Sequence, residues 1–586
     1  MKKFYKWQII LPGLILVFSC LHLEADPSIF KWNGDPGPLS DESMWTHSAR
    51  VSVLFGKYLI PPDSCSHALF GGPLFTILSR LSFMIGGVHL SSVRSLTVLS
   101  FWVTLGILFQ IFQKSGYTSY ASMMPVVILG LNHEAIMESR WATPTFLEIL
   151  FLSSCFLFLI RAVIEGSDRS PIRRRVYLAV AGISFSGAVA SKLSAVIMIP
   201  TFGVMILFTV FPLRKIPLMD LVWFFTGSLF GGGLLGIFFL QNLPQWEVFL
   251  RTIRLTQGSL FLANFNLITA LHQVFTNSAI SNPMVAPMAI GVMILFVVRI
   301  QEAWKSRSKL SLQQYFKKLE PLEALAFCWL IVGLGTFLFH PDRFINRRFI
   351  LFLIPLSILF SKLILRFNRS ESVSGVIAAV FTGAWMFYFP EMIHYLSQVW
   401  LSKIDIHFEP NLAALYKIEI FLALPIFLIL YKTSIDTLLR FLAFGLIVIN
   451  LSMNIYWMLH PTFTFRDESI RLASLTLPGE LNTGYMPWVF SLETKMRPVF
   501  FMKKEHYTEY NADFREVVWD YTNSLVVIRG KVDHKPSLYY DSYFLNPEDF
   551  PGMKQEPLGT FKLAPYPGTN IYRIEADILR IHKRST

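Results

Sequence analysis

The sequence predicts an all-α polytopic membrane protein with a small α/β domain at its C-terminal end, and three observations predict it. Only 16% of the residues are charged against 53% hydrophobic, and 54 phenylalanines outnumber all 39 acidic residues. A water-soluble chain of 586 residues needs far more charge to cover its surface, so much of the surface faces lipid. The apolar residues are gathered into runs near the length of about 20 residues at which a helix crosses a bilayer. Beyond Leu459 that pattern stops, and charges recur throughout 460–586.

The elements follow in order. Met1-Lys-Lys-Phe-Tyr-Lys6 and the apolar stretch Trp7 to Leu23 have the flank and core of a signal peptide or a first spanning helix. Cys20 follows Val17-Phe18-Ser19, a poor lipoprotein match because Phe18 is bulky, so a retained helix is expected. Further apolar runs lie at 95–112, 120–136, 145–162, 177–191, 194–211, 218–240, 285–300, 323–338, 348–363, 372–390, 415–431 and 438–457. With the first helix they make about thirteen transmembrane helices, some short enough to need extension or a thinner bilayer. An odd number with the N-terminus inside puts the C-terminus outside.

Basic residues test that numbering. Lys114, Arg161 to Arg175, Arg214-Lys215, Arg299 to Lys309, Lys362 to Arg369 and Lys432 to Arg440 all fall on the inside, as retained positive charge requires. The net charge of +13 is therefore a topology signal, and no motif of a nucleic-acid binder accompanies it. The stretch 68–87 would reverse every later loop if it crossed; Gly71-Gly72-Pro73, Arg80 and Gly86-Gly87 fit a juxtamembrane or partly inserted helix. The four cysteines indicate no disulfide framework. The expected domains are a membrane domain, 1–460, with a large external loop at 24–94, and an external domain, 461–586. In the latter, Ser524-Leu-Val-Val-Ile-Arg529 reads as a strand, and Asn546-Pro-Glu-Asp549 and Tyr566-Pro-Gly568 as turns.

Chemistry is expected on the outer face. Asp41-Glu42 lies in the first external loop, where an acidic pair can simply satisfy free N–H groups at a helix start. The same topology puts Glu138, Arg140, Glu148, Lys192, Arg343, Arg347 and Arg348 outside. Three arginines there oppose the positive-inside trend and so point to a ligand. A lipid phosphate carries its charge at this plane, where Arg offers a bidentate fork and Lys a point charge. A nearby carboxylate can accept a proton from an incoming hydroxyl as the phosphate leaves the sugar carbon. For Lys192 the plainer reading is a helix-end lysine that snorkels to water.

Five segments then form a recognisable set: Asp41-Glu42 with Arg50, Gly72-Pro73-Leu74 after His67, Ser139-Arg140-Trp-Ala-Thr-Pro144, Gly187-Ala-Val-Ala-Ser-Lys192, and Arg348-Phe-Ile-Leu-Phe-Leu-Ile-Pro355. In order and approximate spacing they resemble the integral-membrane glycosyltransferases of the GT-C fold, among them the aminoarabinose and protein-mannosyl transferase-like proteins of glycosyltransferase family 39. The likeness covers about 1–460. It implies amphipathic helices in the first external loop and an inverting transfer of sugar from a polyprenyl-phosphate donor to a lipid, glycan or protein acceptor. It also implies an integral protein of the bacterial inner (plasma) membrane, in contact with membrane lipid, its active site facing the periplasm or exterior. By that resemblance Asp41 is the catalytic base, Lys192 belongs to the charged donor or acceptor site, and Arg348 lies at the donor phosphate, where Arg347 or Arg343 is expected to join it. Arg140 is a further candidate for that phosphate. Glu42, His67 and Glu148 are supporting candidates, Glu42 capping the helix or ordering the loop, so that its loss is the milder one.

Two departures from the family pattern matter. Thr145 stands where members often carry Asp, with Glu148 one turn further, and Gly71-Gly72-Pro73-Leu74 replaces His-Pro-Pro-Leu, with His67 displaced. They leave a divalent metal and the role of a second acid open. A glycan-lipid flippase or ligase is the nearer alternative function. A secondary transporter fits less well, since its ionisable residues would lie near mid-membrane rather than at one face.

Overall fold

The computed structural model describes residues 2–26, 37–58, 67–165, 170–211, 213, 216–241, 284–306, 320–338, 350–366, 377–378, 381–382, 425–428, 434–484, 488–499, 518–532, 535–536, 547–565 and 572–583. The expected spans 372–390 and 415–431 therefore fall largely outside the described residues. The helices are α1 (Lys2–Cys20), α2 (Gly37–Phe55), α3 (His67–Gly71), α4 (Pro73–Gly86), α5 (Leu90–Lys114), α6 (Ser119–Gly130), α7 (His133–Ser139), α8 (Thr145–Ile164) and α9 (Pro171–Ser191). A 3-10 turn (Leu193–Met198) leads into α10 (Ile199–Val210), followed by α11 (Leu221–Gln241), α12 (Ala286–Ser306), α13 (Pro321–Leu338), α14 (Leu353–Arg366), α15 (Ile435–Leu459) and α16 (Thr464–Leu475).

Among the described residues five stretches are long and apolar enough to cross a bilayer: Leu90–Lys114, Thr145–Ile164, Leu193–Val210, Leu218–Gln241 and Asp436–Leu475. The protein is an integral membrane protein. Helix α8 runs through the middle of the bundle, with Leu152, Cys155, Phe156, Leu159 and Ile160 all fully buried. Trp329 stacks between Phe156 and Phe202, each 5.5 Å away between ring centroids. Helix α11 is the opposite case: Leu229 is 76% and Leu240 71% exposed, as suits a helix that faces lipid. It can press closely on α9 because both carry small residues at the crossing. A Cβ on Gly182 would run into the main chain of Phe224, and one on Gly227 into that of Ala179. Ser186 Oγ also donates to Ser228 O at 2.7 Å.

The apolar run 120–136, expected as one span, is divided. Asn132 takes an extended conformation and its side chain accepts from Ala135 N at 3.1 Å, so α6 ends and α7 starts anew. The stretch 68–87 forms α3 and the 14-residue α4, too short to span.

Charge is segregated to one end of the bundle as the basic clusters require. There Lys114 pairs with Glu165 at 3.2 Å, and Arg174 and Arg175 grip Asp220 at 2.5 and 3.0 Å. Arg299 joins Glu323, and Lys362 joins Glu320. The opposite end holds the C-terminus of α1, the N-terminus of α5, helix α7 and the C-terminal domain.

That domain is built on a sheet of order β2-β1-β3-β6-β5, from β1 (Leu481–Gly484), β2 (Arg497–Pro498), β3 (Ser524–Val532), β5 (Lys554–Pro565) and β6 (Tyr572–His582), with β4 (Lys535–Pro536) beside β3. Strand β1 runs parallel to β2 and β3, whereas β6 is antiparallel to both β3 and β5. Alternation along β3 sends Val526 and Ile528 to one core with Phe465 and Leu472 of α16. Leu525 and Val527 face the other core with Val518 and Phe550. Asp26, just past α1, fastens the domain to the bundle: its carboxylate accepts from Thr464 N and Phe465 N, both at 2.9 Å, and so caps α16. Across β6, Arg580 Nε donates to Glu480 Oε1 at 2.7 Å. Burial alone would raise the Glu480 carboxyl, but Arg580, Leu477 N–H and Ser524 hold it below its ordinary value.

Two outcomes follow. Because the folded-state carboxyl of Glu480 is lowered, its stabilisation is complete above the ordinary glutamate value of about 4.3 and is lost only as pH falls through the lower folded-state value. Glu480→Gln should lower the thermal unfolding temperature of the C-terminal domain at pH 7, and by less and less as the pH is taken below the ordinary value and through the lower folded-state one. Separately, a membrane-impermeant thiol reagent added to intact cells should label Lys57→Cys, exposed at the domain-bearing end, and not Arg173→Cys, exposed at the other; labelling of both would refute the orientation.

Candidate functional site

Helix α2 opens the site. Glu42, in its second turn, is fully buried and accepts both arms of the Arg94 fork, Nε and Nη2, at 2.7 Å each. Its Oε1 also accepts from Ala142 N at 2.8 Å. The remaining arm of Arg94 donates to Leu23 O at 2.8 Å and Ala25 O at 2.7 Å. One ion pair thus ties together α2, α5, the end of α1 and the start of the 142–145 stretch. Glu42 orders the loop and does not cap the helix. Asp41 precedes it on α2; its side chain lies outside the described residues.

The stretch that Glu42 holds leads directly to Lys192. Thr143 Oγ1 donates to Glu138 Oε1 at 3.3 Å and lies 3.4 Å from Thr145 Oγ1. Thr145, the first residue of α8, accepts from Lys192 Nζ at 3.3 Å, and Glu148 Oε2 stands 3.9 Å from the same ammonium. Lys192 reaches them because it ends α9 in an extended conformation, before the 3-10 turn. Its side chain is only 16% exposed and that of Glu148 2%, so this lysine turns inward onto a carboxylate instead of rising to water. Glu148 sits one helical turn beyond Thr145 on the same face, which lets one ammonium meet both.

Two glycines make the approach feasible. A Cβ on Gly72 would lie 2.6 Å from Ser191 O and 3.1 Å from Trp45 Cζ3, so the break between α3 and α4 nests between α2 and the residue before Lys192. A Cβ on Gly187 would lie 2.6 Å from the ring of Phe151, where α9 passes α8. Four of the five motif segments are therefore in mutual contact at the domain-bearing end.

Arg140, expected as a further candidate for the donor phosphate, has two arms of its guanidinium engaged by main-chain carbonyls. It is 2% exposed, donates to Phe18 O at 2.9 Å and to His22 O, and stacks 4.1 Å over the Trp457 ring. Main-chain carbonyls at the end of α1 draw the guanidinium away from Lys192, and Arg140 braces α1 against α15. The His67 side chain lies outside the described residues, as do Arg343, Arg347 and Arg348. Beyond them the chain resumes at Ile350, and Phe352 packs beside Gly333 of α13, which in turn neighbours Thr201 at the Lys192 end of α10. Among the described residues no three of His, Cys, Asp and Glu converge to hold a metal.

Arg94 belongs to no motif and was not singled out from the sequence. Its signal was there: an arginine at the edge of the 95–112 run is costly unless paired.

No known family profile matches the chain, and no curated protein matches it in sequence. Among solved structures it is similar to ArnT from Cupriavidus metallidurans bound to undecaprenyl phosphate, with a TM-score of 0.57 and 13% identity over 98% of each chain. The apo structure of the same protein matches with a TM-score of 0.54 and 12% identity, again over 98% of each chain. At such identity the likeness is one of fold, and it extends through the C-terminal domain.

Breaking the central pair leaves one buried charge without its partner. Arg94→Met should destabilise the protein by about 3–5 kcal/mol, whereas Glu42→Met with Arg94→Met together should recover much of that loss. Unfolding of the detergent-solubilised full chain measures it. Glu42→Gln should destabilise as well.

Proposed function

We propose that the protein is an inverting glycosyltransferase that moves a sugar from a polyprenyl-phosphate donor to a hydroxyl or amino group of a lipid, glycan or protein acceptor. The reaction is assigned to the domain-bearing, extracytoplasmic face of a bacterial inner membrane. The observation that carries this reading is the junction at 142–145: one end is gripped by Glu42, neighbour of Asp41, and the other receives the desolvated ammonium of Lys192. This supports a reacting carboxylate and a cation on one face, as phosphate departure and acceptor deprotonation require. The shared fold with a protein crystallised with undecaprenyl phosphate supports a donor of that lipid class.

In the reaction Asp41 accepts the acceptor's proton while the acceptor atom attacks the anomeric carbon from the side opposite the phosphate. The bond from that carbon to the phosphate oxygen breaks, and polyprenyl phosphate leaves. Lys192 balances the charge that develops there, with Arg348 and Arg347 supplying forks to the same phosphate. Glu148 aims the ammonium, the part left open for a second acid.

The test uses purified full-chain protein in nanodiscs, radiolabelled lipid-linked sugars and membrane extract as acceptor. Asp41→Asn should lower turnover by about 10²-fold or more while donor binding persists. Wild-type turnover by that variant would refute the mechanism, and lipid movement without any sugar-transfer product would favour the flippase. Arg348→Lys keeps the charge but loses the fork, so it should raise the donor concentration needed for half-maximal rate.

A further inference from the structure

Two turns beyond Glu42 on α2 stands Arg50, 1% exposed, and among the described residues its guanidinium donates to the C-terminal domain. Nε donates to Leu492 O at 3.2 Å, and Nη2 to Thr494 O at 2.5 Å and Met496 O at 3.0 Å. Burial pulls the guanidinium down to about 10, so it remains a cation at neutral pH.

Glu493 lies within the same turn and faces the other way. Its Oε1 accepts from Leu90 N at 2.8 Å, and Oε2 is 3.1 Å from His89 Nδ1. It thereby caps the start of α5, where His89 provides no side-chain cap of its own. One turn into α5 comes Arg94, the partner of Glu42. The contacts form a closed circuit: α2 to the 491–496 turn through Arg50, that turn to α5 through Glu493, and α5 back to α2 through Arg94.

The turn is itself braced. Thr494 N donates to Ser491 O at 3.0 Å and Asn482 Nδ2 to Ser491 Oγ at 2.6 Å, tying it to β1. Glu493 N donates to Ser469 Oγ at 3.0 Å, tying it to α16. Glu42 and Arg50 are eight residues apart, about 12 Å along the helix axis, so α2 is gripped near both ends. Met44, between them, packs against the domain's core as well as the cluster around Trp45.

The geometry points to a part for the C-terminal domain in the transfer reaction: its 491–496 turn is a positioning element that holds α2, and with it Asp41, in register with Lys192 and Glu148. Arg50 and Glu493 are positioning residues and act through Asp41. The inference rests on the glycosyltransferase reading, but its structural half can be tested without activity.

Displacing a base by about 1 Å can cost about 10²-fold in rate without altering substrate affinity. Arg50→Lys, with one compact ammonium in place of a fork, should lower kcat by about that factor while the KM for radiolabelled lipid-linked sugar stays within about twofold. Glu493→Gln keeps an oxygen for Leu90 N and should show the same pattern to a smaller degree; it serves if Arg50→Lys does not fold. In an Asp41→Asn background Arg50→Lys should cost nothing further, because its route runs through that carboxylate. A rise in KM with kcat unchanged, or a loss that is fully additive with Asp41→Asn, would overturn the inference. Spin labels on Lys57→Cys and Ser95→Cys, both exposed, report the placement of α2 against α5 in a chain whose native cysteines are replaced. The distance distribution should shift or broaden in Arg50→Lys, and an unchanged distribution overturns the positioning role whether or not the protein transfers sugar. If the wild type consumes no lipid-linked sugar, the glycosyltransferase reading fails, and that distance alone decides whether the turn holds α2.

Discussion

The buried fork between Glu42 and Arg94 is the constraint on which the domain-bearing end of the protein depends. Two ions removed from water are costly, and their mutual attraction compensates only when the remaining hydrogen-bonding positions are filled. Here they are filled by Ala142 N on the carboxylate and by Leu23 O and Ala25 O on the guanidinium. Those requirements draw four separate stretches of chain to one point. The placement of α2 against α5, the entry into α8 and the end of α1 are all tied to this one ion pair.

The second level of organisation is the contrast between the two ends of the bundle. At one end, acids and bases pair between helix termini: Glu165 with Lys114, Asp220 with Arg174 and Arg175, Glu320 with Lys362. At the other, cations are buried against main-chain carbonyls, as Arg140 is on Phe18 O and Arg50 on the 492–496 turn. Carbonyls attract a guanidinium and fix its direction but carry no net charge.

The departures from the family motifs also become intelligible. Thr145 in place of an acid does not leave the lysine without a carboxylate, because Glu148 reaches the same ammonium from the next turn of α8. Glycine at 72 in place of a bulkier residue lets the α3–α4 break lie directly on Ser191 and Trp45. Each local change shifts which backbone touches which, while the lysine keeps a carboxylate and a hydroxyl beside it.

The sequence by itself determined the membrane character, the clustering of basic residues at one end, the shortness of the helices in 68–87 and the change to a charged, strand-containing domain after the last long apolar run. These are properties of local composition: a run either suits hydrocarbon or does not, and the charges between runs state their side. It also singled out Glu42, Glu148 and Lys192, since a charge beside apolar sequence is costly enough to need a reason. Only the tertiary structure decided the pairings. That Glu42 would be spent on Arg94, that Arg140 would brace α1, and that Arg50 would reach the C-terminal domain depend on contacts across 52, 122 and 442 residues. The direction of a long charged side chain is set by whichever acceptor the folded chain brings within about 3 Å of it, and no local pattern records which one that is.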